Sequence, residues 1–296
     1  MNHVSDPAPT DVANRPPSRA ARIWRHPVTA LIAEFFLLAI PLNLAYGFAI
    51  AATYRLALFP GLAFALLGAF AAICGYTLYA RYITRRAAAE LAPRHAPDFL
   101  RGFALGALLM LASVVLVALA GDSKLDVGGW PTLAGLPGVA LLAGTYEELI
   151  ARGVVFRNLE NVFGSVIAIA LSAALFGWLH LGNPHATTLS AFAVGLEGGV
   201  MLAAVYMATR SLWWTIGAHC AWNFTETGVF GIADSGNPGR GVLHAQFAGP
   251  EWLTGGVFGI EASAVAVIVC LAAALAFLVR AHRAGHFVAP RWERRR

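Results

Sequence analysis

Three short stretches of the sequence set acids, imidazoles and an amide one helical turn apart. The run T-Y-E-E-L-I-A-R holds Glu147, Glu148 and Arg152. Further on, F-G-W-L-H holds Phe176 and His180, and H-C-A-W-N holds His219 and Asn223. On a helix, residues four apart share a face, so Glu148 can pair with Arg152 and His219 can stand beside Asn223. Glu147 lies about 100° round from Glu148 and is left without the arginine. One carboxylate is then held as an ion while the other is free for proton transfer. Glu197 in G-L-E-G-G and Glu226, just past Asn223, are further acids that can line the same cavity or serve as structural hydrogen-bonding groups.

The chemistry these groups fit is hydrolysis. A carboxylate can take a proton from water and a histidine can position that water, while a second histidine and an amide donate to a developing oxyanion. There is no G-x-S-x-G run, and no serine or cysteine beside these histidines that looks like a nucleophile. Attack by water, without a covalent intermediate, is therefore expected. Each motif alone has a plainer reading. The acidic run can mark the wet end of a span, His180 can sit at an interface, and His219 with Asn223 can be a hydrogen-bonded tie between helices.

The elements that position these groups are membrane helices. Of 296 residues, 58% are hydrophobic and 12% charged, and mean hydropathy is +0.65. A soluble domain carries roughly 25% charged residues. Eight apolar segments lie near 28–52, 58–80, 100–120, 134–158, 164–182, 187–209, 212–231 and 257–280. Most are long enough for a span of about 20 residues. The expected fold is all-α, a polytopic bundle of about eight transmembrane helices in the cell (inner or plasma) membrane. Buried charge costs roughly 2.5–3.5 kcal/mol per residue on insertion scales, so the polar residues within spans carry the functional signal.

Arginines set the orientation. With the N-terminus inside, 18 of the 21 basic residues fall on or towards the cytoplasmic side, Arg152, Arg157 and Arg210 among them. Both termini are then cytoplasmic. Residues 1–26 read as a disordered basic tail, 27–281 as the helical domain with its core near 134–230, and 282–296 as a second basic tail. No cleavable signal peptide is evident. The Gly-rich loop 232–256 is a candidate lid. Cys74, Cys220 and Cys270 read as packing residues. No nucleic-acid motif or internal repeat is present, so the expected partners are the lipid bilayer and a protein or peptide substrate.

Depth offers a check. Taking Asn158 as the inner end of its span, Glu147 lies about 16 Å deep, and His219 and Asn223 lie about 12–18 Å deep. His180 lies nearer 24 Å from Gly164, which is a tension.

In this order, E-E-x-x-x-R, F-x-x-x-H and H-x-x-x-N, each on its own apolar segment, resemble the CAAX protease and bacteriocin-processing (Abi) family. The resemblance covers about residues 134–230. It implies a metal-free intramembrane glutamic endopeptidase in which Glu147 and His180 activate water and His219 and Asn223 form the oxyanion hole. Glu148, Arg152 and Phe176 are then supporting residues, and Glu197 and Glu226 have no place in the pattern. Eukaryotic members cut prenylated proteins; the lysine-poor, Ala- and Arg-rich composition looks bacterial, where such substrates are not expected.

Three rival readings stand beside it. Glu147, His180 and His219 also make a two-histidine, one-carboxylate zinc set, though H-E-x-x-H is absent. A non-proteolytic immunity or partner-binding protein of the same fold is the second. A protein freed from catalysis has little reason to keep all four site residues. A proton-coupled transporter is the third, and it lacks the inverted repeats that would support it.

Overall fold

The computed structural model describes residues 27–53, 55–128 and 136–294. The expected N-terminal tail lies outside the described residues. Eight long helices follow one another among those described. They are α1 (27–53), α2 (Leu58–Tyr82), α3 (Asp98–Ala120), α4 (136–163), α5 (Ser165–Leu179, extended by a 3₁₀ turn His180–Gly182), α6 (Thr188–Thr209), α7 (212–229) and α8 (Ala264–Arg283). The bundle is all-α apart from one ribbon. Its strands, β1 (Asp122–Val127) and β2 (Leu243–Ala248), pair antiparallel with Asp122 opposite Ala248. That ribbon was not expected, because its strands come from loops more than a hundred residues apart and neither carries a local hairpin signal.

Six helices are long and apolar enough to cross a membrane. The other two are α4 and α7, which carry the acidic run and the H-C-A-W-N run. Their polar residues lower their hydropathy, and neighbouring protein surrounds them in place of lipid. The bundle is built around α6, whose apolar window is 83% buried against 22–33% for the other five spans. Large apolar side chains such as Phe48, Phe59, Leu108 and Leu119 point outward from α1, α2 and α3. Such a surface suits hydrocarbon, in keeping with the long apolar helices that carry it.

Local chemistry fixes the ends. Thr187 and Ser190 form a reciprocal capping box at the start of α6, and Ser263 Oγ accepts from Ala266 N to start α8. α8 thus begins at Ala264, later than the expected 257, because glycines at 255, 256 and 259 adopt positive φ in the turn before it. α4 continues to Phe163 instead of stopping at Asn158, and Gly164 at φ +80° turns the chain directly into α5. The depth tension follows from that boundary. Glu147 lies 16 residues before Phe163 and His180 lies 15 after Ser165, so the two are level.

At the end of the bundle opposite the ribbon, Arg210 pairs with Glu160 and donates to the carbonyl of His286, while Arg157 pairs with Glu34. The C-terminal tail docks there: Val288 accepts from Ser165 N at 2.9 Å, and its own N–H donates to Ser165 Oγ at 2.9 Å.

Helices α3 and α7 approach through small residues. A Cβ on Gly106 would stand 2.0 Å from the carbonyl oxygen of Ala218, beside His219, and one on Gly102 would stand 2.0 Å from that of Trp214. This is a G-x-x-x-G contact between membrane helices. Gly106→Ala should cost about 1–3 kcal/mol by overpacking, whereas Gly47→Ala, with nothing within 4 Å, should be near neutral. Unfolding in detergent micelles compares the two, and equal stability would refute the close contact.

Candidate active site

The acidic run lies where α4 passes into a π-helical segment, Leu149–Phe156. The expected pair forms. Arg152 Nη1 donates to Glu148 Oε1 at 2.6 Å, with side-chain exposures of 3% and 0%. The other Arg152 amino group donates to the carbonyls of Gly198 at 2.7 Å and Gly199 at 3.1 Å, in the π segment Gly195–Val200 of α6. The guanidinium also lies 4.9 Å from the centroid of the Phe176 ring. Arg152 is therefore a buried tie between α4, α5 and α6. It does not lie towards the inner surface, and it drops out of the charge count used for orientation.

Glu148 holds a second partner. Its Oε1 lies 3.0 Å from His219 Nδ1. The carboxylate is paired with an arginine and can only accept, so Nδ1 carries the proton. His219 Nε2 is thereby turned towards Glu147, 3.9 Å from its Oε2. Glu147 keeps 24% of its side chain exposed. It is not without a partner, as the sequence suggested: Tyr46 in α1 donates to its Oε1 at 2.9 Å. Tyr46 comes from a stretch with no diagnostic motif, a hundred residues upstream, and no local signal marks it.

His180 caps α5 and is half-buried. Its Nδ1 lies 2.8 Å from the carbonyl of Phe176, one turn back, so Nδ1 donates and Nε2 is left as an acceptor. Its ring packs at a tilt of 48° against Phe176 with centroids 4.7 Å apart, and Phe176 meets His219 edge-on at 6.3 Å. Phe176 spaces the two imidazoles.

Glu147, His180, His219 and Asn223 all line one cavity of about 450 Å³, and Phe176, Glu197 and Tyr46 line it too. The structure thus brings together all four candidate catalytic residues. Glu226 is not among the lining residues; it is fully buried, and its Oε1 accepts from the Ile260 amide. Three polar residues missed in the sequence, Asp234, Ser235 and Glu261, also line the cavity. They come from the segment after α7, whose Gly-rich composition marked it as a loop and nothing more. An apolar groove between α1, α4 and α5 continues from the cavity, sharing Phe35, Val155 and Leu175 with it.

Among the described residues, one set of three acidic, histidine or cysteine side chains brings its ligand atoms within 4.8 Å of one another. It is Glu226, Asp234 and Glu261, not Glu147, His180 and His219.

Fold and site define a multi-pass helical membrane protein that encloses an acid, imidazole and amide cavity. Residues 129–225 match the family model described as type II CAAX prenyl endopeptidase Rce1-like, and the family resemblance carried by the three motifs holds. The matched stretch contains Glu147, His180, His219 and Asn223 and leaves α1–α3 and α8 outside it. No curated protein and no solved structure matches the chain.

Removing one member of a buried ion pair leaves an uncompensated charge. Arg152→Met should therefore destabilise by about 3–5 kcal/mol, and adding Glu148→Gln should recover part of that. Denaturant unfolding of the two singles and the double in micelles checks it, and strictly additive losses would argue against the coupling.

Proposed function

We propose that this protein is an intramembrane endopeptidase that hydrolyses peptide bonds of membrane-associated proteins or peptides with a water activated by Glu147 and His180. The observation that carries the reading is the division of labour between adjacent carboxylates. Arg152 and His219 occupy Glu148, while Glu147 faces a cavity that holds both histidines and the amide.

Glu147 takes a proton from water as that water attacks the scissile carbonyl. The Nε2 lone pair of His180 accepts from the same water and orients it. His219, steadied at Nδ1 by Glu148, presents Nε2 to the cavity. When that atom is protonated, it and the Asn223 amide donate to the oxyanion. Glu147 then returns its proton to the leaving amine. The groove that joins the cavity along α1 gives an apolar part of the substrate a route from the bilayer.

Orientation belongs to the same proposal. The arginine-rich loop 83–97 and the docked C-terminal tail lie in the cytoplasm. By the alternation of the helices, the ribbon and the 230–263 segment that roofs the cavity lie on the outer side.

Membrane-protein termini compared between strains carrying wild type and Glu147→Gln, matched for expression, should show specific new termini with wild type alone. Identical profiles under conditions where the protein is needed would remove the protease reading. On a peptide found this way, Asn223→Ala should lower kcat by about 10²–10³. For sidedness, Asn237→Cys should react with an impermeant maleimide in intact spheroplasts and Ala89→Cys only after lysis; the opposite pattern would invert the topology.

A further inference from the structure

A second group of acids stands beside the residues of the water step. Glu226 comes from the π segment Phe224–Val229 at the end of α7. Asp234 comes from the turn closed by the Asp234–Asn237 bridge, and Glu261 from the 3₁₀ turn Ile260–Ala262. One carboxylate oxygen of each lies within 4.8 Å of the other two. Glu226 is 0% exposed and Glu261 3%.

Their bonding inside the protein is incomplete. Glu226 Oε1 accepts from the Ile260 amide at 3.1 Å, but its buried Oε2 has no hydrogen-bond partner. Glu261 Oε1 accepts from Ser235 Oγ at 2.5 Å. Elsewhere four buried glutamates pair with an arginine: Glu34 with Arg157, Glu90 with Arg86, Glu148 with Arg152 and Glu160 with Arg210; buried Glu197 instead meets the Cys270 thiol. Among the described residues no arginine or lysine pairs with Glu226, Asp234 or Glu261. Three ionised carboxylates so placed repel one another, and a cation held between them relieves that repulsion while keeping all three as ligands.

We propose that Glu226, Asp234 and Glu261 bind a hard divalent cation of calcium's size, which staples the 232–263 segment to the end of α7 beside the catalytic cavity. The donor set is all carboxylate oxygen, which suits calcium, magnesium or manganese and not zinc. Calcium–oxygen distances of about 2.3–2.6 Å allow ligands across the ion to stand about 5 Å apart, whereas magnesium at about 2.1 Å draws them to about 4.2 Å. The orphaned Glu226 Oε2 supplies a ligand with no competing bond. Asp234, Ser235 and Glu261 also line the cavity, so its water can complete the coordination. Backbone bonds already draw the same parts together: Ile232 N–H donates to the Glu226 carbonyl at 3.0 Å and Gly236 N–H to that of Phe258 at 2.6 Å. The ion adds a side-chain clamp to that fold of the chain. This inference stands apart from the protease reading, since it concerns binding and not hydrolysis.

The test is titration of the chelator-stripped, full-length protein in detergent with calcium chloride alone, followed by calorimetry and thermal unfolding. Wild type and Glu147→Gln should each take up one calcium per chain and gain thermal stability. Asp234→Asn, at a partly buried loop position, should bind at least about tenfold more weakly as one ligand charge is lost. Limited proteolysis of wild type should cut the 232–263 segment more slowly with calcium than with chelator. No saturable uptake by wild type overturns the proposal. So does an unchanged affinity in folded Asp234→Asn, a cleavage rate indifferent to calcium, or tight zinc binding where calcium does not bind.

Discussion

The Glu148–Arg152 pair is the interaction on which the rest of the site depends. A lone charge at this depth would be expelled or neutralised, and the pair exists because one helical turn sets the two groups face to face. Once formed, it has spare capacity on both sides. Arg152 reaches two carbonyls of α6 and the face of Phe176. Glu148 fixes the proton of His219. Helices α4, α5, α6 and α7 are thereby registered against one another by a single charged couple, and Glu147 is left to face the cavity.

That registration requires irregular helices. Four of the eight carry a π segment, Phe35–Ala39, Leu149–Phe156, Gly195–Val200 and Phe224–Val229, and residues of the first three line the cavity. A π turn widens the helix and loosens its carbonyls from the regular ladder. In α6 those loosened carbonyls are the acceptors that Arg152 uses. The guanidinium and the two carbonyls thus satisfy each other's hydrogen bonding inside the bundle. Glycines at 198 and 199 suit this stretch, because a Cβ on either would press on Phe176 or Ala173.

Much of this architecture was legible in the sequence because membranes simplify the problem. Eight apolar runs gave eight helices, and the turn spacing of Glu148 with Arg152 gave their pair. What escaped detection was long-range. Tyr46, Asp234 and Glu261 reach the site from segments without periodic or motif signals, and only the closed bundle brings them in. Misplacing the end of α4 by five residues made His180 look out of level with Glu147. Gly164, the residue that sets that end, reads in the sequence as the start of the next span, whereas its positive φ makes it the turn between two. The G-x-x-x-G at Gly102 and Gly106 was readable in principle, but an apolar span rich in small residues offers many such pairs and no local means of ranking them.

The low hydropathy of α4 and α7 bears on how the protein enters the bilayer. Helices sufficiently apolar to partition by themselves can leave the translocon one at a time. α4 brings its own counter-ion one turn away, so it can be released early at reduced cost. α7 has no such internal neutralisation: its His219 is compensated by Glu148 on a helix made much earlier. The partner that His219 needs in the apolar layer is therefore supplied only when α7 packs against α4. Biogenesis and tertiary assembly merge at that step, and damage to the Glu148–Arg152 couple would surface first as a topology defect in newly made chains.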